Sequence, residues 1–175
     1  MTGMRYLVEP LPDGEGSQRQ REREAAYALL CRLLADVDSR PRLDHDAKGA
    51  PFLPQRPELA VSISHCRRAV AVAVSSQGRV GIDVECRRRV DDSLVERVCS
   101  PSEVEAVRGA DDPTMAFLRL WTRKEAVLKM RRTGIQGFGS MVHALEDANV
   151  VVEDVECAVP DVVASLAWER APMGG

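Results

Sequence analysis

The spacing of apolar positions predicts one long helix near the start of the chain. Apolar residues recur at intervals of three and four between Gln18 and Ala35, as one face of an α-helix requires. These positions are Ala25, Ala26, Leu29, Leu30, Leu33 and Leu34. Before the helix, the run from Met4 to Val8 predicts a short strand, which prolines at positions 10 and 12 close.

Short apolar runs elsewhere predict five more strands. They are Ala60 to Ser64, Ala69 to Ser75, Val80 to Glu85, Val150 to Val155 and Val162 to Trp168. The second of these runs is apolar on both faces up to Val74, which is typical of a buried central strand. Residues 76–79, Ser-Gln-Gly-Arg, predict a turn between the second and third runs.

Two further helices are predicted from their first residues. Ser100, with Pro101 and Glu103 after it, is a capping signal for the start of a helix. Asp112-Pro113 opens another helix in the same way, and its pattern continues to about Met130. Glycines at positions 134, 137 and 139 then break the helix.

The order of these elements favours a mixed fold. Residues 38–57 carry prolines and few periodic apolar positions, which predicts a long loop with a brief strand at Phe52-Leu53. Helices and strands are mixed without strict βαβ alternation. We therefore expect the α+β class.

Composition narrows the function classes. The 175 residues are 45% apolar and 29% charged, with a formal charge of −3, which indicates a globular protein and gives no reason to expect nucleic-acid binding. No run approaches the length of a membrane helix, and the first residues lack a signal peptide's apolar segment. The five cysteines include no C-x-x-C pair, which favours reduced thiols and a cytoplasmic protein.

Two acids on one predicted strand form a candidate metal site. Asp83 and Glu85 are two residues apart, so their side chains share a face, while Val84 points into the core. Paired carboxylates repel each other unless a cation lies between them, and hard oxygen ligands suit Mg²⁺. A solvent-facing polar edge remains the alternative interpretation.

The predicted helix ending near Met130 adds a third acid and a lysine. Trp121, Glu125 and Lys129 share one helical face, which suits either a surface ion pair or a site that neutralises a diphosphate. The neighbouring Lys124 and Arg123 point elsewhere, where we expect them to meet phosphate or a partner protein.

Taken together, these segments resemble the 4′-phosphopantetheinyl transferase superfamily, and its surfactin-type members most. Residues 81–85, Gly-Ile-Asp-Val-Glu, and residues 121–129, Trp-Thr-Arg-Lys-Glu-Ala-Val-Leu-Lys, match the family's paired G-[IV]-D-x-E and W-x-x-K-E-[AS]-x-x-K signature in order. Residues 62–65, Ser-Ile-Ser-His, and 49–53, Gly-Ala-Pro-Phe-Leu, resemble the family's S-x-S-H and G-K-P-x-L segments. The resemblance covers roughly residues 18–168.

The resemblance implies an activity and a set of site residues. It implies transfer of phosphopantetheine from coenzyme A, the substrate, to a serine of an apo acyl or peptidyl carrier protein, with Mg²⁺ as cofactor. The implied metal ligands are Asp83, Glu85 and Glu125. The implied catalytic residues are Glu125 and Lys129. The implied coenzyme A contacts are Arg23, Lys48, Pro51, Ser64, His65 and Lys129.

The resemblance also implies an architecture. Two pseudo-symmetric α+β subdomains, residues 1–78 on the nucleotide side and 79–175 on the metal side, would enclose coenzyme A in a cleft. We expect a monomer that binds neither membrane nor nucleic acid. Ala50 stands where the family pattern has lysine, with Lys48 two residues earlier. A non-catalytic relative that binds coenzyme A or a carrier protein therefore remains as an alternative. A metal-dependent phosphohydrolase, which would use the same acids on a diphosphate with water as the nucleophile, is a third interpretation.

Overall fold

The structure is a computed structural model that describes residues 3–133 and 139–170. Its helices are α1 (Gln18–Leu33), α2 (Asp92–Val98), α3 (Pro101–Arg108), α4 (Pro113–Arg131) and α5 (Gly139–Val142). Its strands are β1 (Met4–Pro10), β2 (Asp44–His45), β3 (Pro51–Phe52), β4 (Ala60–His65), β5 (Ala69–Ser75), β6 (Val80–Cys86), β7 (Val150–Val155) and β8 (Val162–Glu169). This mixture confirms the predicted α+β class.

The first sheet contains the predicted central strand. Its order is β1-β5-β4 and both pairings are antiparallel. Every residue of β5 is buried, which confirms the prediction from its two apolar faces. Helix α1 covers one face of this sheet, where Leu30 packs in one cluster with Val70, Val72 and Val74.

The second sheet repeats the topology of the first. Its order is β6-β8-β7, so in each sheet the last strand along the chain lies between the other two. Helix α4 packs across this sheet and contacts all three strands. The approach is close at Gly81, where a Cβ atom would lie 1.9 Å from the carbonyl oxygen of Ala126. A glycine is therefore needed at this point of β6.

The two sheets meet between β4, β5 and β6. Alanines of β5 pack in one cluster with Ile82 and Val84 of β6. Two hydroxyls of β4 add polar contacts, because the Oγ of Ser62 accepts from the Ile82 N–H at 3.0 Å and that of Ser64 from the Val84 N–H at 3.3 Å. These bonds place the end of β4 beside the acidic strand. The assignment of residues 1–78 and 79–175 to separate subdomains stays a prediction.

The structure differs from the sequence prediction mainly in its short elements. Helix α2 was not predicted, because it has seven residues and buries only Val95 and Val98, too few to show a period. The brief strand in the loop lies at Pro51–Phe52, where it forms a hairpin with β2. Of the three predicted helix-breaking glycines, two lie outside the described residues and Gly139 begins α5. In the described residues, no helix is long and apolar enough to cross a membrane.

Candidate active site

Strand β6 carries the two predicted acids on its polar side. Asp83 is 5% exposed and Glu85 is partly buried, while Val84 between them is 2% exposed and lies in the core. The alternation follows from the two-residue period of a strand. Asp83 is thus buried rather than part of a solvent-facing edge.

Helix α4 brings Glu125 and Lys129 to the same strand. Glu125 is 8% exposed. The Lys129 ammonium donates to Asp83 Oδ1 at 2.6 Å and to the Ser64 hydroxyl at 2.8 Å. Among the ion pairs of the described residues, Lys129 is therefore paired with the neighbouring strand and not with Glu125 on its own helix.

The carboxylate of Glu125 is held in an unfavourable environment for negative charge. Burial first, and then the charges of Asp83 and Glu85, raise the pKa of Glu125 from 4.5 to about 7, although Lys129 acts in the opposite direction. Glu125 Oε1 and Asp83 Oδ2 are both buried without a hydrogen-bond partner. Buried carboxylate oxygens usually have partners, so these two atoms indicate a ligand site.

The chemistry of these oxygens fits a hard cation such as Mg²⁺, which prefers carboxylate ligands. As the side chains stand, however, no group of three or more His, Cys, Asp and Glu residues within 3–133 and 139–170 converges as a metal-ligand cluster. Lys129 instead supplies the positive charge beside Asp83. The assignment of Mg²⁺ to Asp83, Glu85 and Glu125 therefore stays a proposal.

A groove of about 1300 Å³ is lined by Asp83, Glu85 and Lys129, whereas Glu125 is not among its lining residues. Its walls come from α1, the loop before β3, the end of β4 and the acidic side of β6. Of the predicted coenzyme A contacts, Arg23, Pro51, Ser64, His65 and Lys129 line the groove. The groove wall carries charges of both signs. Its acids are Glu22, Glu24, Asp44, Asp83 and Glu85, and its cations are Arg19, Arg23, Arg42 and Lys129. The cations suit a ligand with several phosphates.

Lys48 is the predicted contact that the structure places elsewhere. It is exposed, its backbone N–H donates to Asp46 Oδ1 at 2.8 Å, and it is absent from the groove wall. Arg42, earlier in the same loop, lines the groove instead. The sequence prediction overlooked Arg42 because no family motif covers it, and the loop's path decides which cation faces the groove.

Glu22 is a second residue that the sequence prediction overlooked. It is 7% exposed on α1, and its Oε2 lies 3.2 Å from His65 Nδ1. Gln18 donates to its other oxygen at 2.7 Å. The signal was present, because Glu22 falls in the buried stripe that continues at Ala26 and Leu29, where an acid is unusual. Glu22 thus fixes His65 against the groove wall.

Lys124 does not have the role that was expected. Its side chain is fully buried, and its ammonium donates to the carbonyl of Val98 at 2.8 Å and to Glu103 Oε2 at 2.7 Å. Glu103 also accepts from the Ser100 N–H, completing the predicted capping box. The expectation that Lys124 meets phosphate or a partner protein was wrong, because the helix turns this side chain into the protein.

Trp121 lies one turn before Glu125, on the face of α4 that also carries Lys129. The guanidinium of Arg88 lies 5.9 Å from its ring centroid and also pairs with Glu85 at 3.3 Å. Arg87 pairs with Asp112 and with Asp161. These arginines are therefore engaged within the chain at the rim of the acidic strand.

Comparison with known proteins identifies a family and several relatives of this chain. A family profile described as the 4′-phosphopantetheinyl transferase superfamily matches residues 79–156, which include β6 and α4. The chain is 35% identical over 130 residues to the 4′-phosphopantetheinyl transferase AcpT of Salmonella typhimurium, covering 71% of this chain and 64% of AcpT. It is 30% identical over 148 residues to HetI of Nostoc, covering 73% and 62%, and 30% identical over 111 residues to Sfp of Bacillus subtilis, covering 60% and 48%.

The chain belongs to the 4′-phosphopantetheinyl transferase superfamily. It spans less than two thirds of the length of these relatives, at 64% of AcpT and 62% of HetI.

Proposed function

We propose that this protein transfers 4′-phosphopantetheine from coenzyme A to a serine of an apo acyl or peptidyl carrier protein. The observation that carries the proposal is the position of Asp83, Glu125 and Lys129. Two buried carboxylates with unpartnered oxygens, those of Asp83 and Glu125, lie near the Lys129 ammonium where α4 packs on β6, and Asp83 and Lys129 also line the groove. The groove is large enough for a cofactor-sized ligand. AcpT, HetI and Sfp are each named as 4′-phosphopantetheinyl transferases.

In the proposed reaction, the carrier serine Oγ attacks the phosphorus that bears the pantetheine arm. A new P–O bond forms, the diphosphate P–O bond breaks, and adenosine 3′,5′-bisphosphate leaves. The serine proton passes to the Glu125 carboxylate, directly or through a water molecule. The Lys129 ammonium neutralises charge that develops on the diphosphate.

Mg²⁺ would be held by Asp83, Glu85 and Glu125. When bound, it would supply Lewis-acid polarisation of the phosphoryl oxygens. At the other end of the groove, His65, fixed by Glu22, and Arg23 would hold the phosphates of the nucleotide. Catalysis would rest mainly on positioning and charge neutralisation.

The test is incubation with an apo carrier protein, coenzyme A and Mg²⁺, followed by intact mass measurement of the carrier. We expect the gain of one phosphopantetheine. Glu125→Gln should abolish the gain while keeping the fold, because the amide cannot accept the proton. Glu105→Gln, on an exposed position of α3, is the matched control and should transfer normally.

One observation favours a second candidate. Ala50 replaces the family lysine and Lys48 lies outside the groove wall, so one cation expected at the nucleotide is missing. A non-catalytic protein that binds coenzyme A or a carrier would show bound coenzyme A and no mass gain. Cleaved coenzyme A with an unmodified carrier would instead identify a phosphohydrolase. Either result would overturn the transferase proposal.

A further inference from the structure

We propose that Ser64 is a positioning residue for Asp83 and Lys129 and not a contact for the 3′-phosphate of the nucleotide. This inference rests on the proposed function, in which Asp83 holds the metal and Lys129 meets the diphosphate. Ser64 lies on β4 and is 6% exposed. Its hydroxyl donates to Asp83 Oδ1 at 2.8 Å. It accepts from Lys129 Nζ at 2.8 Å and from the Val84 N–H at 3.3 Å.

These three bonds use the full capacity of the hydroxyl. A serine side chain has one proton to donate and two lone pairs that accept. Ser64 donates its proton to Asp83, and Lys129 and Val84 occupy its lone pairs. A phosphate would need a donor, because its oxygens only accept near neutral pH. Ser64 could donate to a phosphate only by releasing Asp83. The cationic side chains of the groove are therefore better placed to bind a phosphate.

The bonds also decide which oxygen of Asp83 is free. Oδ1 accepts from both Ser64 and Lys129, whereas Oδ2 is buried without a partner. Two donors on one oxygen fix the rotation of the carboxylate. The free Oδ2 is then available to a cation together with Glu125 Oε1, the other unpartnered buried oxygen. Ser64 therefore prepares the metal ligand although it is not a ligand itself.

Ser62 offers a matched control on the same strand. It precedes Ser64 by two residues and so lies on the same face of β4, and it is similarly buried at 4% exposed. Its hydroxyl accepts from the Ile82 N–H at 3.0 Å, which is the same kind of contact between the sheets. Ser62→Ala thus removes a comparable bond between β4 and β6 without touching the acids or Lys129.

The experiment measures Mn²⁺ affinity by electron paramagnetic resonance in the presence of coenzyme A. We expect Ser64→Ala to weaken Mn²⁺ binding about 10- to 100-fold, as removing a partner of a metal ligand typically does. Ser62→Ala should keep the wild-type affinity. Circular dichroism checks the fold of each variant. Should Ser64→Ala fail to fold, Ser64→Cys keeps the size of the side chain with a weaker donor and should show the same direction of change.

A second measurement separates this role from nucleotide binding. The KM of each variant is compared for coenzyme A and for 3′-dephospho-coenzyme A. If Ser64 positions Asp83, both substrates should be affected alike. A rise in KM for coenzyme A alone would assign Ser64 to the 3′-phosphate and overturn the inference. Unchanged Mn²⁺ affinity in folded Ser64→Ala would also overturn it.

These outcomes are distinct from a failure of the proposed function. Wild-type transfer combined with unchanged Mn²⁺ affinity in Ser64→Ala would remove this inference and leave the transferase in place. Wild-type Mn²⁺ binding without transfer would remove the transferase and leave the Ser64 comparison intact. Wild-type protein that binds no Mn²⁺ would overturn the metal assignment and this inference together.

Discussion

The buried ion pair between Lys124 and Glu103 should be worth more to stability than any surface pair of the chain. Lys124 has a fully buried side chain, whereas the Glu103 side chain is 23% exposed. In Glu103→Gln, the ammonium stays buried with carbonyl partners only, such as Val98. The perturbation therefore leaves a charge without a counter-ion in a place that water does not reach.

The magnitude follows from which charge is left behind. Removing one partner of a buried pair typically costs about 3–5 kcal/mol. We expect Glu103→Gln near the lower end, about 3 kcal/mol, because Glu103 is partly exposed and glutamine can still accept from the Ser100 N–H. Lys124→Met should cost less, about 1–2 kcal/mol, since the remaining Glu103 carboxylate keeps some hydration and only the Val98 carbonyl loses a partner.

Thermal unfolding followed by circular dichroism measures both effects. For a chain of this size, 3 kcal/mol corresponds to a fall in Tm of about 6–12 °C. The control is Glu96→Gln, which breaks the surface pair with Arg108, whose partners are 60% and 58% exposed. That variant should lose less than about 1 kcal/mol. Equal Tm values for Glu103→Gln and Glu96→Gln would refute the reasoning, as would a larger loss in Lys124→Met than in Glu103→Gln.

Three other outcomes are expected. In metal-free protein, the raised pKa of Glu125 means that the folded state keeps a proton that the unfolded state loses between pH 4.5 and about 7. The free energy of unfolding of the wild type should therefore fall as the pH rises through this range. Urea unfolding of Glu125→Gln should lack this fall, which we put on the order of 2 kcal/mol after allowance for screening. Gly81→Ala should destabilise the chain by about 3 kcal/mol or more, because the new Cβ would lie 1.9 Å from the Ala126 carbonyl oxygen and 2.6 Å from the Met130 backbone nitrogen. The control is Gly139→Ala, which should be neutral because a Cβ there would meet nothing within 4 Å. Coenzyme A with Mg²⁺ at 100 times Kd should add about 2.7 kcal/mol to stability in a thermal scan, and EDTA should reverse the part that depends on metal.

Features that depend on neighbouring residues could be predicted from the sequence. The start of α4 at Pro113 follows from the Asp112 side chain, which caps the Met115 N–H at 3.1 Å, and from proline's preference for the first turn. The central position of β5 follows from its two apolar faces. The opposite directions of Asp83 and Val84 follow from the period of a strand. Each of these predictions needs information from only a few consecutive residues.

Features that depend on long-range contacts could not be predicted in this way. Lys129 is four residues after Glu125, and helical spacing alone makes Glu125 its natural partner. The partner in the structure is Asp83, which is 46 residues away. In the same way, nothing near His65 in sequence predicts its contact with Glu22. These contacts exist because α4 packs on β6 and α1 packs near the end of β4, and such packing is decided by the whole core.

The paired motif of the family therefore contains residues of two different kinds. Lys124 and Glu125 are adjacent in sequence, yet the helix turns Lys124 toward Glu103 and Glu125 toward the acids of β6. The first contact anchors the start of α3 to α4, and the close approach at Gly81 sets the distance between α4 and β6. Only the close approach at Gly81 bears on where Glu125 and Lys129 stand relative to Asp83, because the partners of Lys124 lie outside β6. The close packing of α4 on β6 buries Glu125 beside Asp83 and Glu85, and this environment raises the pKa of Glu125.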